Sequence, residues 1–179
     1  MIITLVLNEN DYLTQQLYVA STSKRSRRNR RKSWLIVSIG FVVLGLCFTG
    51  SNEFYNYYFL GMGVLSFIFY PYYQRYKYRR HYQKNVSEML QYRIGKPCEV
   101  NFLPDFILTK DVTGEGKMNT SEITEINEIS SHYFIRTKSG ETLIIPKAQI
   151  HSPSFVTDLV AIFKNPNIMI NKQLDWKWK

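Results

Sequence analysis

The chain has 179 residues, 45% hydrophobic and 15% aromatic, with a formal net charge of +9 and two cysteines. The cysteines exclude a disulfide framework, because Cys47 falls inside an apolar run and Cys98 opens a β-rich segment, two environments that do not meet. The positive charge is not the footprint of a nucleic-acid binder: residues 85–179 hold as many acidic as basic side chains, and no zinc-finger spacing, RNP-like aromatic motif or base-reading helix accompanies it, so no nucleic-acid partner is expected.

In chain order, Ile2 to Leu7 (IITLVL) is rich in β-formers and reads as one strand, too short for a cleaved leader. Asn10 or Asp11 is placed to cap a short helix over residues 12–21. A basic block follows: Lys24, Arg25, Arg27, Arg28, Arg30, Arg31 and Lys32. Two uncharged apolar runs then occupy residues 34–50 and 54–73, and a second block holds Arg75, Lys77, Arg79 and Arg80. Runs approaching 20 residues, bracketed by Lys and Arg, predict a two-helix transmembrane hairpin. The basic flanks then place the protein in the inner (cytoplasmic) membrane, multi-pass, with both termini cytoplasmic. On that reading the basic residues are lipid or topology contacts, and Trp34, Tyr55, Tyr57, Tyr58, Tyr72 and Tyr73 mark the membrane interfaces. Pro71 is expected to end or kink the second helix. Small residues at Gly40, Gly45, Thr49, Gly61, Gly63 and Ser66 allow close helix approach, either within the hairpin or between protomers of a homo-oligomer.

Residues 76–92 read as a helix stopped by Gly95 and Pro97. Short β-rich runs follow, separated by turn residues, and their spacing is that of an antiparallel meander. Ile123, Ile126 and Ile129 are off a strict period of two, which calls for a bulge or for a segment that begins as a turn. Phe155, Leu159, Ile162 and Phe163 stand at helical spacing within residues 153–164, a closing amphipathic helix. The resulting divisions are 1–33 (strand, short helix, basic segment), 34–73 (hairpin), 74–95 (connecting helix) and 96–179 (β domain, closing helix and tail). The fold class so read is an α+β membrane protein with a small cytoplasmic antiparallel β domain.

The basic stretch, the two apolar runs and the pattern Ile123, Ile126, Glu128, Tyr133-Phe134-Ile135 and Ile144-Ile145-Pro146-Lys147 together resemble the YcxB-like family of bacterial membrane proteins. The resemblance extends over nearly the whole chain. It implies that the C-terminal part is a PH-like domain, a curved sheet capped by a C-terminal helix. One departure is Thr120, where a Trp is often expected in the family.

No catalytic, cofactor-binding or metal-binding residues stand out. His81, His132 and His151 lack partners at metal-ligand spacing, and Gly114-Glu115-Gly116 lacks the Lys-Ser/Thr of a phosphate loop. Glu122, Glu125 and Glu128 read as a solvated face. No enzyme activity and no cofactor are therefore expected. The expected function is a non-catalytic, membrane-anchored interaction module whose PH-like domain docks a protein or lipid partner, with anionic lipids beneath the basic flanks. The alternative is a small membrane immunity protein that neutralises a toxin from a neighbouring bacterial cell.

Overall fold

The computed structural model describes residues 1–150, 152–163, 165 and 167–178. His151 and the ends of the closing helix and of the tail, at Lys164 and Lys179, lie outside the described residues. The chain forms two compact units: Met1–Gln15 with Gln83–Lys177, and Gln16–Tyr82 with Trp178–Lys179.

The first unit is built on two four-stranded sheets. Strands β1 (Ile2–Val6), β2 (Pro97–Phe102), β3 (Phe106–Asp111) and β4 (Gly114–Asn119) run in that order, each antiparallel to the next. The second sheet has the order β7-β6-β5-β8, from β5 (Ile123–Ile129), β6 (His132–Thr137), β7 (Thr142–Pro146) and β8 (Met169–Gln173). β5, β6 and β7 are antiparallel neighbours, whereas β8 joins β5 in parallel. The inward side chains of both sheets, Leu5, Val100, Phe102, Ile107, Ile126, Ile135 and Ile145 among them, form one buried cluster. Their alternation along each strand puts one face in that core. A bulge between Ile123 and Glu125 shifts the register by one residue, so Ile123 and Ile126, three apart, both point inward. Helix α4 (Phe155–Phe163) presents Phe155, Leu159 and Phe163 on one stripe, and all three belong to the same cluster.

The second unit is dominated by a helical hairpin. Helix α1 (Glu9–Thr22) begins in the first unit and enters the second. Ser23 then caps α2 (Lys24–Cys47), its hydroxyl accepting from the Ser26 N–H at 3.3 Å. Gly50, at φ +81°, turns the chain. Asn52 Oδ1 accepts from the N–H groups of Phe54 and Tyr55 and opens α3 (Glu53–Met89).

These helices correct the expectation of a transmembrane hairpin: among the described residues, no helix is long and apolar enough to cross a membrane. The first turns of α2 are spent on seven basic residues, and the apolar remainder from Leu35 to Cys47 rises only about 20 Å, against roughly 30 Å for a hydrocarbon core. In α3 the apolar stretch is diluted by Tyr55, Asn56, Tyr57, Tyr58, Tyr70, Pro71, Tyr72 and Tyr73. The expected fold class, a membrane protein with a spanning hairpin, and the expected multi-pass placement in the inner membrane with cytoplasmic termini are therefore not supported. The premise on which the flanking tyrosines and Trp34 were read as interface markers falls with them. Pro71 does not end its helix: α3 continues through it as one element to Met89.

Candidate anion-docking site

Where α2 and α3 face each other, polar contacts fix their register. Gln74 Nε2 donates to Arg30 O (3.2 Å), Ser33 Oγ meets Tyr70 Oη (2.9 Å), and Ser38 Oγ meets Ser66 Oγ (3.3 Å). Glycine permits the close approach further along. A Cβ on Gly45 would stand 2.9 Å from Leu60 Cγ and 3.1 Å from the Leu60 backbone nitrogen, and one on Gly63 would stand 2.9 Å from Val42 Cγ2.

Trp34 is fixed by a consequence of Pro71. Proline has no N–H, so the carbonyl four residues back, Phe67 O, loses its usual helical donor. Trp34 Nε1 donates to that oxygen at 3.0 Å, and its ring packs on Phe67 with centroids 4.6 Å apart. Trp34→Phe, which keeps an aromatic ring and removes the donor, is expected to destabilise the hairpin by about 1 kcal/mol. Pro71→Ala in that background returns an N–H to Phe67 O and should recover more stability than the same change in the wild type. A double-mutant cycle by denaturant unfolding measures this coupling.

The register assembles the basic residues that the sequence marked only as flanks. Arg27, Arg30, Arg31 and Trp34 are spaced i, i+3, i+4 and i+7, one face of α2, and Pro71, Gln74 and Arg75 form the matching face of α3. Together these residues line a cleft of about 400 Å3. Trp178 belongs to the same place: its carbonyl accepts from Arg75 Nη2 at 2.7 Å, and the Arg30 guanidinium lies 4.9 Å from its ring centroid. Burial lowers the Arg30 guanidinium from its ordinary value, with Tyr78 and Tyr82 opposing that shift. The second unit carries Glu53 as its one acidic residue, at the far end of the hairpin. Among the described residues no ion pair joins Arg27, Arg31 or Arg75 to a carboxylate. Lys24, Arg25, Arg28, Lys32, Lys77, Arg79 and Arg80 stand on the same two helices but do not line the cleft.

The same hairpin exposes large apolar side chains: Ile36 is 71% accessible, Phe54 and Tyr57 73% each, and Tyr72 65%. Tyr55, Tyr58 and Tyr73 are exposed as well. A surface of this kind is a signature of an interaction site.

The first unit holds two polar clusters that sequence reasoning missed. In one, His132 Nε2 lies 3.0 Å from Asp11 Oδ1 and His132 Nδ1 lies 2.7 Å from Ser131 Oγ. Asp11 Oδ2 accepts from the Asn8 N–H at 2.8 Å while Asn8 Oδ1 accepts from the Asp11 N–H, so Asn8, rather than Asn10 or Asp11, caps α1. In the other, Arg93 pairs with Asp111 (3.1 Å) and donates to Thr113 Oγ1 beside a cleft of about 270 Å3 that Tyr12 and Cys98 also line. Burial pushes the Tyr12 phenol and the Cys98 thiol up. It would do the same to Asp111, but hydrogen bonds from Thr113 and the Arg93 charge outweigh it and hold that carboxyl below its ordinary range. Arg93 is thus already neutralised. Glu122, Glu125 and Glu128, read as a solvated face, pair with Lys138, Arg136 and Lys147 respectively.

Comparison with family models, with curated proteins and with solved structures found no match. The functional reading therefore rests on the geometry of the chain itself. The acidic pairs and the Arg93 cluster are internally satisfied, whereas on the α2–α3 hairpin Arg27, Arg31 and Arg75 pair with no carboxylate among the described residues, and the exposed Ile36 and Tyr72 stand close to them along the same helices.

Proposed function

We propose that the protein is a non-catalytic interaction module that docks an acidic protein partner on the α2–α3 hairpin. The observation that carries this reading is the meeting, on one hairpin, of three cleft arginines, Arg27, Arg31 and Arg75, that pair with no carboxylate among the described residues, and a set of exposed aromatic and aliphatic side chains. Arginine, tyrosine, phenylalanine and tryptophan are the residue types enriched in the energetic centres of protein interfaces. The positive potential selects an acidic partner and speeds its approach. It also repels a second copy of the same hairpin.

The test is site-specific photo-crosslinking of the full chain in its native cells, with the reactive group at Ile36 or Tyr72 and, as a control, at Glu115. A single stoichiometric protein adduct from the hairpin positions, reduced at least about tenfold in R27Q/R31Q/R75Q, is the expected result. Adducts only between copies of this chain, or equal adducts from the Glu115 position, overturn the proposal.

A further inference from the structure

We infer that the arginine cleft is a subsite for a phosphate monoester, the phosphorylated side chain of the docked partner; this rests on the docking reading above and names the group it grips. A phosphate monoester near neutral pH carries close to two negative charges and three acceptor oxygens, against one charge and two oxygens for a carboxylate. Matching it takes several planar guanidinium forks converging from different directions, since each fork offers two parallel N–H donors. The hairpin brings three such side chains to one cleft, Arg27 and Arg31 one turn apart on α2 and Arg75 on α3, with the Gln74–Arg30 hydrogen bond fixing the register of the two helices. The volume of about 400 Å3 exceeds a phosphate alone and leaves room for the carbons that carry it.

The chain's own tail shows that Arg75 can donate to an oxygen beside the cleft, and Trp178 Nε1 donates in turn to Arg75 O at 3.4 Å. Arg75 Nη2 already donates to an oxygen, the Trp178 carbonyl, at 2.7 Å, and the Trp178 ring sits against Arg30. That acceptor is neutral and satisfies one donor of one fork. A dianion has far more to gain there, so phosphate binding displaces the Trp178 carbonyl and changes the surroundings of both Trp34 and Trp178. The exchange gives the site its own optical signal.

The experiment is titration of the full chain with O-phosphotyrosine, O-phosphoserine and inorganic phosphate, followed by tryptophan fluorescence and calorimetry. Tyrosine O-sulfate, glutamate and a 5′-phosphorylated oligonucleotide serve as comparisons. The expected result is saturable binding of all three phosphates, weakened about tenfold or more in Arg31→Gln and in Arg75→Gln, weakened to a smaller extent in Arg31→Lys, and unchanged in Lys77→Gln. Circular dichroism of each variant confirms that it is folded. Equal binding of sulfate or glutamate, or no saturable response to any phosphate, overturns the inference. Much tighter, length-dependent binding of the oligonucleotide also overturns it and assigns the cleft to nucleic acid. If phosphates fail while the crosslinked adduct persists, the phosphate subsite falls and docking stands. If phosphates bind but no adduct forms, the docking reading falls.

Discussion

Replacing Phe102 by alanine is expected to lower stability by about 3–5 kcal/mol, the usual cost of deleting a buried aromatic ring that its surroundings cannot refill. Phe102 is 1% exposed and stands at the junction of β2 with α4, its ring centroid 6.1 Å from those of both Phe155 and Phe163. The loss therefore removes contacts on two elements at once, one a strand of the first sheet and the other the closing helix. Denaturant unfolding should show the midpoint falling at an unchanged slope. Phe102→Leu, which keeps most of the volume, should cost well under half as much. A Phe102→Ala loss below about 1 kcal/mol would mean that α4 does not depend on this ring.

Asp11→Ala carries the second large effect, about 3 kcal/mol, because it strips the buried His132 ring of the partner on its Nε2 and the Asn8 N–H of its side-chain acceptor. Asp11 and His132 are 6% and 4% exposed, so water does not readily replace what is lost. Asp11→Asn keeps one acceptor oxygen for the Asn8 N–H and turns an amide N–H toward His132 Nε2, which accepts it in the tautomer that donates from Nδ1 to Ser131 Oγ, so it should cost distinctly less. His132→Ala tests the pair from its other side, and in a double-mutant cycle the two changes together should cost far less than their sum. Additivity in that cycle would show that the 3.0 Å contact does not couple them energetically.

What could be read from the sequence divides along the reach of the interactions. The closing helix was legible because Phe155, Leu159 and Phe163 repeat at a local period, and the bulge in β5 because Ile123, Ile126 and Ile129 break one. β1 was legible as a strand from its β-formers, but nothing local shows that it pairs Val6 with Pro97 in the first sheet. β8 was not foreseen: Met169–Gln173 is short, mostly polar and exposed, and becomes a strand only because β5 offers it a parallel edge. The Asp11–His132 contact joins residues 121 apart and leaves no local trace. The apolar runs drew the reading toward a membrane, since length and absence of charge were weighed and the tyrosines counted as interface markers rather than as dilution of the runs. For the candidate site, the sequence marked every arginine. It could not say that Arg27, Arg30, Arg31 and Arg75 share a cleft, because that depends on the register between α2 and α3, which Gln74, Ser33 and the two close-packed glycines set.

The place of β1 has a consequence for timing. Its hydrogen-bonding neighbour, β2, comes about ninety residues later in the chain, after all of α1, α2 and α3. At the elongation rates of living cells, roughly 5–20 residues per second, β1 waits several seconds before its partner has been synthesised. Through that interval the Ile2–Val6 backbone has no ladder to join, and the first sheet cannot close. The helical hairpin, made of local contacts, can be complete before the sheets begin, so the order of appearance from the ribosome gives the hairpin a head start over the first sheet.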